Sequence, residues 1–84
     1  MDKHEKLLAT ILQGTSDANI RFRDLCALLR YLGFEERIRG SHHSFRKAGV
    51  FEKPNLQADG ALARQYQVRQ VRAVILKHKL GGRP

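Results

Sequence analysis

The hydrophobic pattern of this chain changes period at Gly33, and that change decides most of what the chain can become. Before it, Leu25, Leu28, Leu29 and Leu32 stand at i, i+3, i+4 and i+7, the one-face spacing of a helix over roughly residues 22 to 32. Gly33 supplies the helix stop. After it, Phe34 and Ile38 fall on one side of a two-residue period and Arg37 and Arg39 on the other, which is strand patterning. Gly40-Ser41 bends the chain or carries it past a bulge, and residues 42 to 47 alternate again. Lys47-Ala48-Gly49 makes the next turn. Val50 to Gln57 reads as a third strand, which Pro54 places at a sheet edge. Ala58 to Ala63 reads as a loop around Asp59-Gly60. A last helix is expected from about Gln67 to Lys79, with Val68, Val71, Val74 and Ile75 facing inward.

Upstream, Leu7, Leu8, Ile11 and Leu12 recur at helical spacing over residues 3 to 13, and Gly14 stops the pattern. Thr15-Ser16-Asp17-Ala18-Asn19 is a turn by its chemistry, and Gly81-Gly82-Arg83-Pro84 predicts a frayed tail. The order helix, helix, three strands, helix predicts an α+β fold: a three-stranded antiparallel sheet with helices packed on one face. Residues 1–84 are expected to form a single domain, with 1–19 as N-terminal helix and turn, 20–80 as core and 81–84 as tail. A chain of 84 residues buries a modest core, which argues against an elaborate cofactor site, and no cofactor is expected.

Phe45 decides the register of the second strand. If Phe45 points into the core, His43 and Lys47 lean the same way, and His42, Ser44 and Arg46 take the open face. His43 is then a half-buried, structural histidine, whereas His42 is an exposed imidazole in a basic setting. Sixteen Lys plus Arg against eight Asp plus Glu give a formal net charge of +8, a surplus that favours nucleic acid, an anionic membrane or an acidic protein. Histidine is the side chain whose ordinary pKa best suits giving or taking a proton at neutral pH. RNA carries its own nucleophile in the 2′-hydroxyl, so one histidine as acid or base and a few arginines on the phosphate suffice for cleavage. Arg37, Arg39 and Arg46 are the candidates for the phosphate, with Ser41 and Ser44 beside them. On the last helix Arg69 and Arg72 are further RNA-binding candidates, with Lys77, His78 and Lys79 nearby. The ordinary alternatives are a polar hairpin, a solvated sheet face and the solvated side of an amphipathic helix.

Cys26, the single cysteine, lies among Leu25, Ala27 and Leu28 as a small core residue, and it suits a reducing cytoplasm. The opening Met1-Asp2-Lys3-His4-Glu5-Lys6 lacks the apolar run of a signal peptide, and no stretch has the length of a membrane span. The expected location is cytoplasmic, without membrane association. Adjacent residues on a strand point to opposite faces, so His42 and His43 cannot easily share an ion, and no metal site is expected.

Gly40-Ser41-His42, following a Leu-rich helix that ends Leu32-Gly33-Phe34, resembles the HicA toxins of bacterial toxin–antitoxin pairs. Gln67-Val68-Arg69-Gln70-Val71-Arg72-Ala73-Val74-Ile75-Leu76-Lys77 is similar to that family's closing helix, and the resemblance covers roughly residues 22 to 80. It implies a fold like the double-stranded RNA-binding domain, with the helix at 3 to 13 as an addition. It further implies metal-independent endoribonuclease cleavage of mRNA, with the family's catalytic histidine carried over onto His42. Gly40 and Ser41 match the other two positions and shape the turn. The implied partner is a HicB-like antitoxin protein that masks the histidine. A non-catalytic RNA-binding module of the same fold is the main alternative. A DNA-binding protein has less support, because Gly33-Phe34 leads into a strand and not a recognition helix.

Overall fold

The computed structural model describes residues 2–81; Gly82-Arg83-Pro84 of the expected tail lies outside them. Helix α1 spans Lys3–Gln13, capped by the Asp2 carboxylate, which accepts the Glu5 amide at 2.9 Å. Gly14, in the left-handed region at φ +78°, ends it. A 3-10 turn at Asp17–Asn19 leads to helix α2, Phe22–Tyr31. Gly33 at φ +100° lets the chain reverse there, and the Phe34 amide returns to the Leu29 carbonyl.

Strands β1, Glu35–Arg39, and β2, His42–Arg46, form an antiparallel hairpin in which Arg39 pairs with His42. The connection is therefore a two-residue turn of Gly40 and Ser41 with no bulge. Its first central residue is at positive φ, as the tight hairpin turns require. Strand β3, Asn55–Leu56, pairs antiparallel with β2 and gives the order β1-β2-β3. The strand expected over Val50–Gln57 is thus corrected to two residues. Val50 turns back on Lys47, Phe51 projects into solvent at 87% exposure, and Pro54 has no amide to place in a ladder. Pro54 does contribute its carbonyl, which accepts from the Phe45 amide.

The segment expected to be a loop is a second, minimal hairpin: β4, Ala58–Asp59, with β5, Leu62–Ala63. Hydrogen bonds from Phe22 to Ala61 and from Ala63 to Ile20 tie it to the entrance of α2. Helix α3 runs Gln65–His78, beginning two residues earlier than the apolar spacing suggests. Its inward residues Val68, Val71, Val74 and Ile75 join one buried cluster with Leu8 and Ile11 of α1, Leu25, Leu28 and Leu29 of α2, and Phe34, Phe45 and Leu56 around the sheet. Phe45 is 1% exposed, and burying a side chain of that size stabilises by about 2–3 kcal/mol. No helix among the described residues is long and apolar enough to cross a membrane.

Candidate nucleic-acid interface

Because Phe45 faces the helices, alternation along β2 places His42, Ser44 and Arg46 on the sheet's other face. Cross-strand pairing sets Arg39 beside His42, Arg37 beside Ser44 and Glu35 beside Arg46, so β1 contributes two arginines to that face. Asn55 pairs with Ser44 and extends the face across β3. No helix covers it: Arg37, Arg39, His42, Arg46 and Asn55 are all exposed. Arg46 meets Glu35 at 3.5 Å, an open ion pair worth little to stability. Arg37 and Arg39 have no ion pair among the described residues, so their guanidinium groups are available to an anionic ligand.

His42 is held from the side. Its Nδ1 lies 3.3 Å from Oδ1 of the Asn55 side chain. A proton on Nδ1 donated to that oxygen leaves Nε2 with its lone pair, the tautomer a general base needs. The adjoining turn is anchored as well: Gln57 Nε2 donates to Ser41 Oγ at 2.9 Å, and the Gln57 amide donates to Gln67 Oε1 at 3.3 Å. Gln67 is 2% exposed and stands out as a polar side chain within the core. It lies four residues before Val71 and eight before Ile75, on the apolar stripe of α3, and that position was the signal for it in the sequence.

The neighbouring histidine lives on the covered face. His43 Nδ1 lies 2.7 Å from Glu36 Oε2, and its ring meets Phe22 edge-on with centroids 4.9 Å apart. Arg30 of α2 pairs with the other Glu36 oxygen. Burial acts to raise the Glu36 carboxyl, but the His43 and Arg30 hydrogen bonds outweigh it and hold the group below its ordinary value. Cys26 belongs to the same cluster. Its Sγ, a Glu36 carboxylate oxygen and a His43 ring nitrogen lie within 4.8 Å of one another, a trio of metal-ligand type that sequence spacing does not reveal. Both Glu36 oxygens already face partners. Burial, followed by the nearby Glu36 charge, pushes the Cys26 thiol up to about 12, so an ion here would displace a satisfied network and a firmly held proton.

The α3 candidates are not brought to the sheet's open face. Arg72, expected as an RNA-binding residue, is engaged within the fold. Its guanidinium donates to both Asp17 oxygens at 2.9 and 3.0 Å and to the Ile11 carbonyl at 3.1 Å, tying α3 to the 3-10 turn and α1. The Arg72 hydrogen bond holds Asp17 below its ordinary value against the opposing effect of burial. Lys77 and His78 both engage Glu52 of the β2–β3 connection, at 2.8 and 2.7 Å, and these contacts depress the Glu52 carboxyl to about 2. Arg69 stays exposed and lines a shallow groove with Asp59, Leu62 and Tyr66. The arrangement offers one open, cation-bearing sheet face with an oriented imidazole, and a separate basic stretch on α3. No family model matches this chain, and neither a curated protein nor a solved structure matches it.

Proposed function

We propose that this chain is a toxin of the HicA kind, a metal-independent endoribonuclease that cleaves mRNA with His42 as its acid–base group. The observation that carries the reading is the placement of His42. It stands on an uncovered sheet face opposite Arg39, with Arg37 and Arg46 further along the same face and Nδ1 directed at the Asn55 side chain. The Gly40-Ser41-His42 turn is one of the stretches that resemble the family, together with the Leu32-Gly33-Phe34 helix end and the closing helix. The three-stranded sheet with helices on its other face accords with a fold like the double-stranded RNA-binding domain, α1 being the addition.

The chemistry follows from the substrate. His42 Nε2 takes the proton of a 2′-hydroxyl, and O2′ attacks the adjacent phosphorus. The arginines neutralise charge on the non-bridging oxygens, and the P–O5′ bond breaks. The imidazolium returns its proton to the departing O5′. The products are a 2′,3′-cyclic phosphate and a 5′-hydroxyl. The nucleophile is supplied by the RNA itself, so no metal-activated water is called for.

An enzyme of this type must be silenced in the cell that makes it. A HicB-like antitoxin with an acidic surface laid over His42 and its arginines excludes substrate and pairs charge together, and the attraction weakens with added salt. Amide exchange on such a complex should show protection over 42–46; protection confined to α1 would remove this partner model. The cytoplasm, where mRNA and a reduced Cys26 are both expected, is the proposed location.

The test is incubation of purified protein with a long unstructured RNA in excess chelator. Wild-type protein should produce cyclic-phosphate ends. His42→Ala should remain folded and lose cleavage by about a hundredfold or more. A folded His42→Ala protein that cuts normally would sink the assignment. Wild-type protein that binds RNA without cutting it would support the non-catalytic binding module.

A further inference from the structure

We infer that the RNA served by His42 is single-stranded where it is bound, and that one of its bases stacks on Tyr66 in the groove between β3 and α3. This rests on the reading of His42 as the RNA site and adds a second contact that the sheet face does not supply. Tyr66 sits in the first turn of α3 and is 50% exposed, although an aromatic ring of its size gains by burial. The ring is nevertheless held in place. Its hydroxyl accepts a hydrogen bond at 3.3 Å from Nε2 of Gln67, whose other end accepts from the Gln57 amide. A half-exposed aromatic side chain anchored by an amide that is 2% exposed is a preorganised platform, with little side-chain freedom left to lose on binding.

The groove beside Tyr66 has an apolar floor of Pro54, Ala73 and Val74, and Lys53 and Lys77 stand at its rim. Glu52 at 2.8 Å offsets the Lys77 charge, so Lys53 is the rim cation free of an ion pair among the described residues. On the other side of the Tyr66 ring, Arg64 and Arg69 line the adjoining groove. Cations on both sides of an aromatic face are the two ingredients of single-strand recognition, backbone charge and base stacking. Asn55 completes the argument, because it lines the Tyr66 groove and also faces His42 Nδ1 at 3.3 Å. A strand crossing the open face at His42 therefore passes into this groove over the β3 edge. Paired bases in an A-form duplex stack on each other and present no free face to the ring, so the contact selects unpaired RNA.

The experiment measures binding in a His42→Ala background, so that substrate survives, using a labelled single-stranded oligoribonucleotide and the same sequence in a duplex. Adding Tyr66→Leu should weaken single-strand binding about tenfold or more. Tyr66→Phe, which keeps the ring and gives up only its anchor to Gln67, should lose clearly less than Tyr66→Leu. The duplex should bind less tightly and be insensitive to Tyr66→Leu. Tyr31→Phe in the same background leaves Tyr66 as the sole tyrosine in a chain without tryptophan, so quenching of its emission by the oligonucleotide reads stacking with Tyr66 intact. Single-strand affinity unchanged by Tyr66→Leu, absence of quenching, or absence of single-strand binding would each overturn the inference. Cleavage by the wild-type protein is scored separately, so loss of the subsite and loss of the catalytic reading are distinguishable.

Discussion

Replacing Arg72 with alanine separates a structural arginine from a nucleic-acid ligand. The guanidinium makes two charge-assisted hydrogen bonds to Asp17 and one to the Ile11 carbonyl, and the Arg72 and Asp17 side chains are 19% and 13% exposed. Removing the donor strands a carboxylate and a carbonyl at the junction of α1, the 3-10 turn and α3. Breaking a fully buried ion pair costs about 3–5 kcal/mol. Some water reaches this one, so the expected loss is about 2–3 kcal/mol. In a domain of this size that lowers Tm by about 10–20 °C. Chemical denaturation of Arg72→Ala beside Arg69→Ala is the assay, and Arg69→Ala should stay within about 0.5 kcal/mol of wild type. Asp17→Ala and the double variant close a cycle in which the two losses are strongly non-additive. Below its melting range, Arg72→Ala should keep the RNA cleavage proposed for the wild type. Wild-type stability combined with lost RNA binding would refute this reasoning and return Arg72 to the interface.

Two further predictions come from the covered face and the carboxylates. His43→Ala removes the Glu36 contact and the Phe22 edge contact and should cost about 2 kcal/mol by denaturation, while folded protein keeps cleaving RNA; a stable, inactive His43→Ala with an active His42→Ala would reverse the roles of the two histidines. Asp17, Glu36 and Glu52 are all held below their ordinary values of 3.8, 4.5 and 4.5, Glu52 at about 2, so between about pH 4.5 and 2 the unfolded chain binds more protons than the folded one. Stability should therefore be fully present above that window and fall as pH drops through it. Tm measured from pH 5 to pH 3 should decline, less steeply in Glu52→Gln, and a flat profile would contradict the depressed carboxyls.

Much of the layout was legible because it depends on local periods. The leucine spacing of α2, the glycine at its end and the single Phe45 in β2 were enough to assign faces, and with them the separation of His42 from His43. What was not legible depends on pairing across the fold or on elements too short to show a period. The β4–β5 hairpin has two residues per strand, and its support comes from Ile20 and Phe22, far away in sequence. The third strand reads as eight residues from composition, yet Pro54 and the turn at Val50 leave a ladder of two. Arg72 and Asp17 are 55 residues apart, so nothing in the helix pattern distinguished Arg72 from Arg69. Asn55 and Gln57 looked like ordinary polar residues of a strand. Only the sheet register brings one to His42 and the other to Ser41.

The positive sheet face is a matter of placement as much as of composition. A net charge of +8 spread evenly would repel itself everywhere and mark no site. Here three carboxylates are positioned where they tie elements together. Glu36 holds α2 to the first hairpin, Asp17 holds α3 to the 3-10 turn, and Glu52 holds the β2–β3 connection to the end of α3. Asp2 caps α1. Of the residues that β1, β2 and β3 direct to the open face, Glu35 is the one acid, paired loosely with Arg46. Each structural tie thus takes a negative charge off the open face, and three of the five partners that these carboxylates engage lie on α3. Arg37 and Arg39 remain without an ion pair beside His42. The same ion pairs that fasten the helices to the sheet leave the cations on its other side free for an anionic ligand.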